Sequence, residues 1–202
     1  SKVFVTLQNM RGWSATENAR ILVINSNTDI ITDTIIVTGL TDPYENKDYC
    51  AATGKLYFAF TGDWYGSPAT GILEVDSASL QTRILCQGGF TGDTIINGAF
   101  VGVKVISADT GYCVYAGNWP NYYIASFNPA TGVFYNKQLL VGSFWGDLLK
   151  DDANNIYAIN RDSSFANSGV YKILPNGTYV FSSLNKAGLI NRNPVGAAIF
   201  QN

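Results

Sequence analysis

Three aspartates recur in similar short motifs along the chain, and they are its best candidates for carboxylate chemistry. They are Asp42 in Thr41-Asp42-Pro43, Asp93 in Gly92-Asp93 and Asp147 in Gly146-Asp147. We predict that each lies in the crossing from the last strand of one repeat to the first strand of the next (the D–A crossing), where the three carboxylates can converge on one face and hold a hard cation such as calcium. The alternative is that each aspartate forms and caps a tight turn, a role in which Asp is common. Turn chemistry favours the second interpretation.

Histidine is absent from the sequence. Its absence excludes Ser-His-Asp and Cys-His catalysis and any His-ligated zinc or iron centre. We therefore predict a protein that is not an enzyme, with no catalytic residue and no cofactor. One enzymatic alternative is kept, a calcium-dependent hydrolase or lactonase that uses Asp42, Asp93, Asp147 and Asp162.

Aromatic residues form the second recurring group. All four tryptophans stand beside Gly, Asn, Asp or Ser in segments that we predict to be connections between strands. Flat rings beside amides and carboxylates suit a sugar, and the same surface can anchor a protein partner. The predicted ligand-binding residues are Trp13, Asp63, Trp64, Tyr65, Asn118, Trp119, Tyr122, Trp145, Arg161, Asp162 and Phe165.

The alternative for these aromatic residues is internal packing between neighbouring sheets. Tyr65 adjoins Trp64, and Tyr122 lies close to Trp119. Two adjacent aromatic side chains can hardly both point inward, so this spacing favours exposure.

Composition predicts one all-β domain. The chain has 202 residues, of which 13% are aromatic and 14% are charged, and its net charge is −2. This length suffices for a sizeable core, and the near-neutral charge gives no reason to expect nucleic acid or an anionic membrane as a partner. No apolar run approaches the roughly 18 residues that a membrane span needs, so membrane insertion is not expected.

Cys50, Cys86 and Cys113 match no metal-binding spacing; we predict buried free thiols, with one disulfide as the alternative.

The strand pattern repeats about every 50 residues, a period typical of propeller blades. We label the strands of each repeat A to D, from the axis of the propeller outward. The predicted B strands are centred on Phe4, Tyr57, Tyr115 and Tyr157, and turns rich in Asn, Asp and Pro join each strand C to strand D. The predicted C strands are 21–24, 71–75, 123–127 and 169–173, and the predicted D strands are 30–37, 81–86, 133–140 and 178–182. No stretch sustains the apolar period of a helix.

Three of these segments resemble the repeats of YVTN-type, YncE-like β-propellers, and more loosely those of NHL propellers. They are Ile21 to Gly39, Asp109 to Ala116 and Ala125 to Gly142, and the likeness covers most of the chain. Members of that family look like secreted, periplasmic or cell-surface binding proteins. The resemblance therefore implies a β-propeller and one of those locations, and it transfers no catalytic residue.

We predict a β-propeller of four four-stranded blades in a single domain, 1–202. The segment from Asn193 to Phe200 reads as strand A of a blade whose other strands lie at the N-terminus, so strand A pairs with strand B and closes the ring. The blades are then 193–202 with 1–39, 40–88, 89–142 and 143–190. Closure removes exposed strand edges. The alternatives to this monomer are a dimer that completes a larger ring and a fragment of a larger propeller.

The function expected from these patterns is non-catalytic binding by an extracytoplasmic scaffold. Glycan binding through the aromatic B–C connections is the favoured specialisation, as in a lectin. A building block of a surface layer or filament is the structural alternative, and the calcium-dependent hydrolase is the enzymatic one. Because the sequence begins at Ser1 without a leader, we expect either a removed leader or an excised fragment.

Overall fold

The computed structural model describes residues 1–11, 14–15, 17–62, 69–87, 98–117, 121–161 and 168–183. Within these residues it contains seventeen β-strands and no helix. Consequently, this part of the chain offers no helix that could cross a membrane. The all-β class predicted from the sequence is confirmed.

The strands form four antiparallel sheets in chain order. Sheet 1 contains β1 (Lys2–Leu7), β4 (Ala19–Asn25) and β5 (Ile30–Val37), and β2 (Met10–Arg11) and β3 (Ser14–Ala15) form a separate two-stranded hairpin. Sheet 2 contains β6 (Pro43–Cys50), β7 (Lys55–Phe60), β8 (Gly71–Asp76) and β9 (Thr82–Leu85). Sheet 3 contains β10 (Phe100–Val105), β11 (Gly111–Ala116), β12 (Tyr122–Phe127) and β13 (Phe134–Gly142). Sheet 4 contains β14 (Phe144–Lys150), β15 (Ile156–Asn160), β16 (Gly169–Ile173) and β17 (Tyr179–Ser183).

Every sheet is a meander in which neighbouring strands follow one another along the chain. Sheets 2, 3 and 4 have the full order A-B-C-D, whereas sheet 1 has only B, C and D among the described residues. The predicted B, C and D strands are therefore confirmed, and the arrangement is propeller-like. Residues 193–202, which the sequence assigns to strand A of sheet 1, lie outside the described residues.

Side chains of Asn or Asp fix all four C–D turns. Asn25 Oδ1 accepts a hydrogen bond from the backbone N–H two residues later at 2.9 Å, and Asn176 Oδ1 accepts the corresponding one at 3.0 Å. Asp76 Oδ1 accepts the backbone N–H groups two and three residues later, at 3.0 and 2.8 Å, and Asn128 Oδ1 does so at 2.8 and 3.2 Å. This local bonding pattern explains why Asn and Asp mark turns in sequences.

Among the described residues, three apolar cores lie between consecutive sheets. Along β7, Phe58 and Phe60 face sheet 1, while Tyr57 and Ala59 face sheet 3, because successive strand residues point to opposite faces. The core between sheets 3 and 4 includes Val114, Ile124, Leu148, Ile156 and Ile173. Sheets 2 and 3 are thus each packed against a core on both faces.

The three cysteines are free and buried, as predicted. All of them belong to the core between sheets 2 and 3. Burial raises the pKa of Cys86 to about 12 and raises the pKa of Cys113 well above its usual value. The raised pKa keeps the thiols of Cys86 and Cys113 protonated, and all three buried cysteines pack as small apolar side chains.

Thr70 provides a polar link between sheets 2 and 3 that we expect to be sensitive to mutation. Its buried hydroxyl donates to the carbonyl of Phe60 at 2.6 Å and accepts the backbone N–H of Phe100 at 2.9 Å. Replacing Thr70 by Val removes the acceptor of a buried N–H, so we expect a loss of about 1–3 kcal/mol in the free energy of unfolding. Urea unfolding measures this loss, and Thr82→Val at an exposed strand position is the control. Equal effects from the two variants would contradict the prediction.

Candidate functional site

The B–C connections leave the sheets at one end of the strands. Because the sheets are antiparallel meanders, the B–C and D–A connections lie at the same end of the strands, and the short C–D turns lie at the opposite end. We call the end that carries the B–C and D–A connections the loop edge. Its B–C connections are 8–18, 61–70, 117–121 and 161–168, the segments in which most of the predicted ligand-binding residues fall.

Asp42 is the best-defined polar group at the loop edge. It precedes β6 with φ of +55°, a conformation that Asp tolerates better than most residues, and it is only 6% exposed. Its Oδ2 accepts the hydroxyl of Thr61 at 2.6 Å, and its Oδ1 accepts the side-chain amide of Gln8. The backbone N–H of Thr61 also donates to the Asp42 carbonyl at 2.9 Å. Asp42 thereby ties the ends of β1 and β7 to the start of β6.

These contacts bear on the predicted cation set. Both oxygens of Asp42 already accept hydrogen bonds from neutral side chains, and these donors lie 34 and 19 residues away along the chain, so the carboxylate links strands and does not cap its own turn. Asp93 lies outside the described residues. Within the described ranges, no group of three or more Asp, Glu, Cys or His side chains is placed to hold a metal ion.

Asp147 requires a correction. We expected it in the D–A crossing, but β13 ends at Gly142 and β14 begins at Phe144, so the crossing is a single residue and Asp147 lies inside strand A. The backbone register of β14 against β15 shifts between Phe144 and Leu148, which indicates a bulge or similar irregularity in the stretch that contains Asp147. An irregular inner strand, rather than a longer loop, accommodates the Gly-Asp pair.

Tyr122 also departs from the expectation. It opens β12 opposite Ala116 and Gly142, and it is only 4% exposed. Strand pleating directs it to the same face as Ile124, into the core between sheets 3 and 4. Burial raises the pKa of its hydroxyl. Tyr122 is therefore a core residue, and its nearness to Trp119 in sequence did not indicate exposure.

The structure describes few of the other predicted binding residues. Arg161 follows β15 at the loop edge, is partly buried, and its backbone N–H donates to the carbonyl of Ser143 at 3.1 Å. Trp145 lies in β14, and its side chain is not described. The remaining predicted residues lie outside the described ranges: Trp13, Asp63, Trp64, Tyr65, Asn118, Trp119, Asp162 and Phe165.

A second polar cluster, which was not predicted from the sequence, joins the three described inner strands, which are strand A of sheets 2, 3 and 4 (β6, β10 and β14). Lys150 Nζ of β14 donates to Asp48 Oδ2 of β6 at 2.7 Å and to the carbonyl of Val105 in β10 at 2.9 Å. The backbone N–H of Val105 donates to the same Asp48 oxygen at 2.8 Å. Nearby, Asn46 donates to the Leu148 carbonyl at 3.3 Å. No spacing in the sequence relates Asp48 to Lys150, which are 102 residues apart.

Comparison with known families and curated proteins does not assign this chain to a family. No protein-family model matches the chain, and no curated protein matches it significantly.

Proposed function

We propose that this protein is a non-catalytic β-propeller of the YVTN type that binds a carbohydrate through its loop edge, outside the cytoplasm. The observation that carries the proposal is the common edge from which all four B–C connections leave the sheets. Three of these connections contain a tryptophan and the fourth contains Phe165. Loops held on a rigid scaffold are the usual location of binding residues.

Hydrogen bonds at the base of the loops support a rigid rim. In sheet 2, the N–H of Gly62 donates to the carbonyl of Thr41 at 3.0 Å, and the N–H of Thr41 donates to the carbonyl of Ala69 at 3.0 Å. Both ends of this B–C connection are therefore fixed to the adjoining D–A crossing. Such anchoring lowers the entropy that the loop loses when it binds a ligand.

The proposed ring has four blades, which are 193–202 with 1–39, 40–88, 89–142 and 143–190, within one domain. Its support is the direct contact of Lys150 in sheet 4 with Asp48 in sheet 2, although sheet 3 lies between them along the chain. In a ring of four, the second and fourth inner strands face each other across a narrow axis, whereas a larger ring separates them. Strand A from residues 193–200 pairs with β1 in this proposal.

Carbohydrate binding is tested with the labelled protein on a broad glycan array. We expect selective binding, weakened roughly 10- to 100-fold by Trp64→Ala and by Trp119→Ala, because aromatic anchors dominate such contacts. Tyr49→Ala is the matched control: Tyr49 is an exposed aromatic residue toward the opposite end of β6 from the loop edge, and its loss should leave binding unchanged. A blank array from a folded protein would contradict the proposal.

A building block of a surface layer or filament is the second candidate. The observation that favours it is the exposed apolar surface of sheet 1, where Val3, Val5, Ile31 and Ile36 are all open to solvent. Contiguous apolar surface of this kind often marks a site of association.

The calcium-dependent hydrolase has less support, because Asp42 already has two neutral hydrogen-bond donors.

A further inference from the structure

The C–D turn of sheet 4 contains a motif that the proposed function does not use. The turn joins β16 to β17 and contains Asn176-Gly177-Thr178. Asparagine followed, after one residue other than proline, by Ser or Thr is the acceptor motif for N-linked glycans. Among all asparagines of the sequence, Asn176 alone stands in such a motif. We call residues 176–178 the acceptor motif.

The acceptor motif lies at the tip of its turn, where Asn176 and Thr178 are both exposed. Backbone hydrogen bonds fix the turn beneath them. The N–H of Leu174 donates to the carbonyl of Thr178 at 2.8 Å, and the N–H of Gly177 donates to the carbonyl of Leu174 at 2.9 Å. Gly177 has φ of +84°, and the nearest described atom to a Cβ placed there is the hydroxyl oxygen of Tyr112, at 4.0 Å. The space around the motif is therefore open.

Thr178 is hydrogen-bonded to the asparagine of its own motif. Asn176 Oδ1 accepts the hydroxyl of Thr178 at 2.7 Å and the backbone N–H of Thr178 at 3.0 Å. These two bonds occupy the amide oxygen and fix the orientation of the side chain. Among the described residues, the amide nitrogen Nδ2 of Asn176 has no hydrogen-bond partner. The nitrogen that would receive a glycan is thus the part of the side chain that the turn does not use.

The other three C–D turns show which part of the acceptor motif the turn itself needs. Each has the same bond between a side-chain oxygen and the backbone N–H two residues later, but the later residue carries no hydroxyl. The capping residues are Asn25, Asp76 and Asn128, and the residues two positions later are Asn27, Ala78 and Ala130. Turn formation therefore does not explain the hydroxyl of Thr178, whereas an acceptor role for Asn176 does.

We propose that Asn176 is the attachment site of an N-linked glycan. The inference rests on the proposed location outside the cytoplasm, because the motif acts as an acceptor in secreted proteins. The donor class is an oligosaccharide joined to a polyprenyl diphosphate, and a glycosyltransferase of the cell catalyses the transfer. Asn176 Nδ2 attacks C1 of the first sugar, so that an N–C bond forms and the bond from C1 to the diphosphate oxygen breaks. The diphosphate leaves with the electron pair, Nδ2 gives one proton to a base of the transferase, and no group is oxidised or reduced.

Attachment at this position is compatible with the fold and with binding at the loop edge. The transfer consumes one N–H of Asn176 and leaves Oδ1, so both hydrogen bonds from Thr178 persist. The C–D turns lie at the end of the strands opposite the loop edge, so the glycan leaves the B–C connections uncovered. Tyr179 and Val180, which directly follow the motif, are 48% and 59% exposed. A bulky hydrophilic glycan beside them would shield this apolar surface and favour solubility.

The test uses the full chain produced in its source organism and the mass of its tryptic peptide 173–186, which contains the acceptor motif. We expect a glycan on the wild-type peptide, and its enzymatic release from the amide nitrogen should convert Asn176 to Asp. Thr178→Val removes the hydroxyl and should abolish attachment, whereas Thr178→Ser keeps the hydroxyl and should retain the glycan. Asn176→Asp should also abolish attachment while it preserves the turn, because Asp76 caps the equivalent turn of sheet 2.

Cell fractionation of the same cultures separates this inference from the proposed function. An unmodified wild-type peptide, from protein found outside the cytoplasm, would overturn the attachment site and leave binding at the loop edge standing. Protein found only in the cytoplasm would overturn the proposed location and this inference with it. A glycan that persists on the peptide in Thr178→Val or Asn176→Asp would also overturn the assignment, since its attachment would then not depend on the acceptor motif.

Discussion

Replacing Lys150 by methionine should lower the free energy of unfolding by about 3–5 kcal/mol, because the variant leaves the carboxylate of Asp48 buried and unpaired. The side chain of Asp48 is 8% exposed and that of Lys150 is 19% exposed, so water screens the pair little. The ammonium also donates to the carbonyl of Val105 at 2.9 Å, and this bond is lost as well. Urea unfolding at neutral pH measures the effect.

Two further variants show whether the loss comes from the unpaired charge. Lys2→Met removes an exposed ammonium that also donates to two backbone carbonyls, at 3.0 and 3.3 Å, and it should cost less than about 1 kcal/mol. Adding Asp48→Asn to Lys150→Met should recover part of the stability, since it removes the buried charge. A small effect of Lys150→Met, or no recovery in the double variant, would show that the ion pair does not fasten the inner strands.

The strands and their turns could be predicted from the sequence because their causes are local. Asp76 and Asn128 bind backbone groups two and three residues away, so the turn residue and its partners lie within one short motif. Apolar runs such as Ile21 to Ile24 and Ile156 to Ala158 likewise indicate strands directly. These signals sufficed for the B, C and D strands of every sheet.

The candidate site was predicted less well because its causes are not local. The burial of Tyr122 depends on where β12 begins, since a shift of one residue would move the tyrosine side chain to the other face of the sheet. The position of Asp147 depends on the length of one D–A crossing, which no residue type marks. The pairing of Asp48 with Lys150 depends on two inner strands that meet only in the folded chain.

Glu74 is the centre of a second charged cluster, and we expect its stabilising effect to depend on pH. It is 5% exposed and accepts Lys55 Nζ at 2.8 Å, Arg83 Nη2 at 3.0 Å and the hydroxyl of Tyr57 at 3.2 Å. Arg83 also donates to the carbonyls of Pro129 and Ala130, at 2.7 and 2.6 Å, and so connects Glu74 to a turn of sheet 3. Loss of the carboxylate should therefore weaken both sheet 2 and its contact with sheet 3.

Burial alone would raise the pKa of Glu74, but hydrogen bonds from Lys55 and Arg83 and their positive charges hold that pKa below the usual 4.5. Because the pKa is lower in the folded state than in the unfolded state, the ionised group stabilises the fold above about pH 4.5. That stabilisation is lost as the pH falls through the folded-state pKa. We expect Glu74→Gln to cost about 2 kcal/mol at pH 7, as for a hydrogen-bonded charge, and progressively less in acid.

Urea unfolding of wild type and Glu74→Gln at pH 7, 5 and 3.5 tests this dependence. Glu45→Gln, at an exposed position of β6, is the matched control and should change the free energy of unfolding by less than about 0.5 kcal/mol at each pH. A Glu74→Gln effect that stays constant from pH 7 to 3.5 would place the loss in packing and neutral hydrogen bonds. An effect that shrinks toward acid would show that the ionised carboxylate, held between Lys55 and Arg83, stabilises sheet 2.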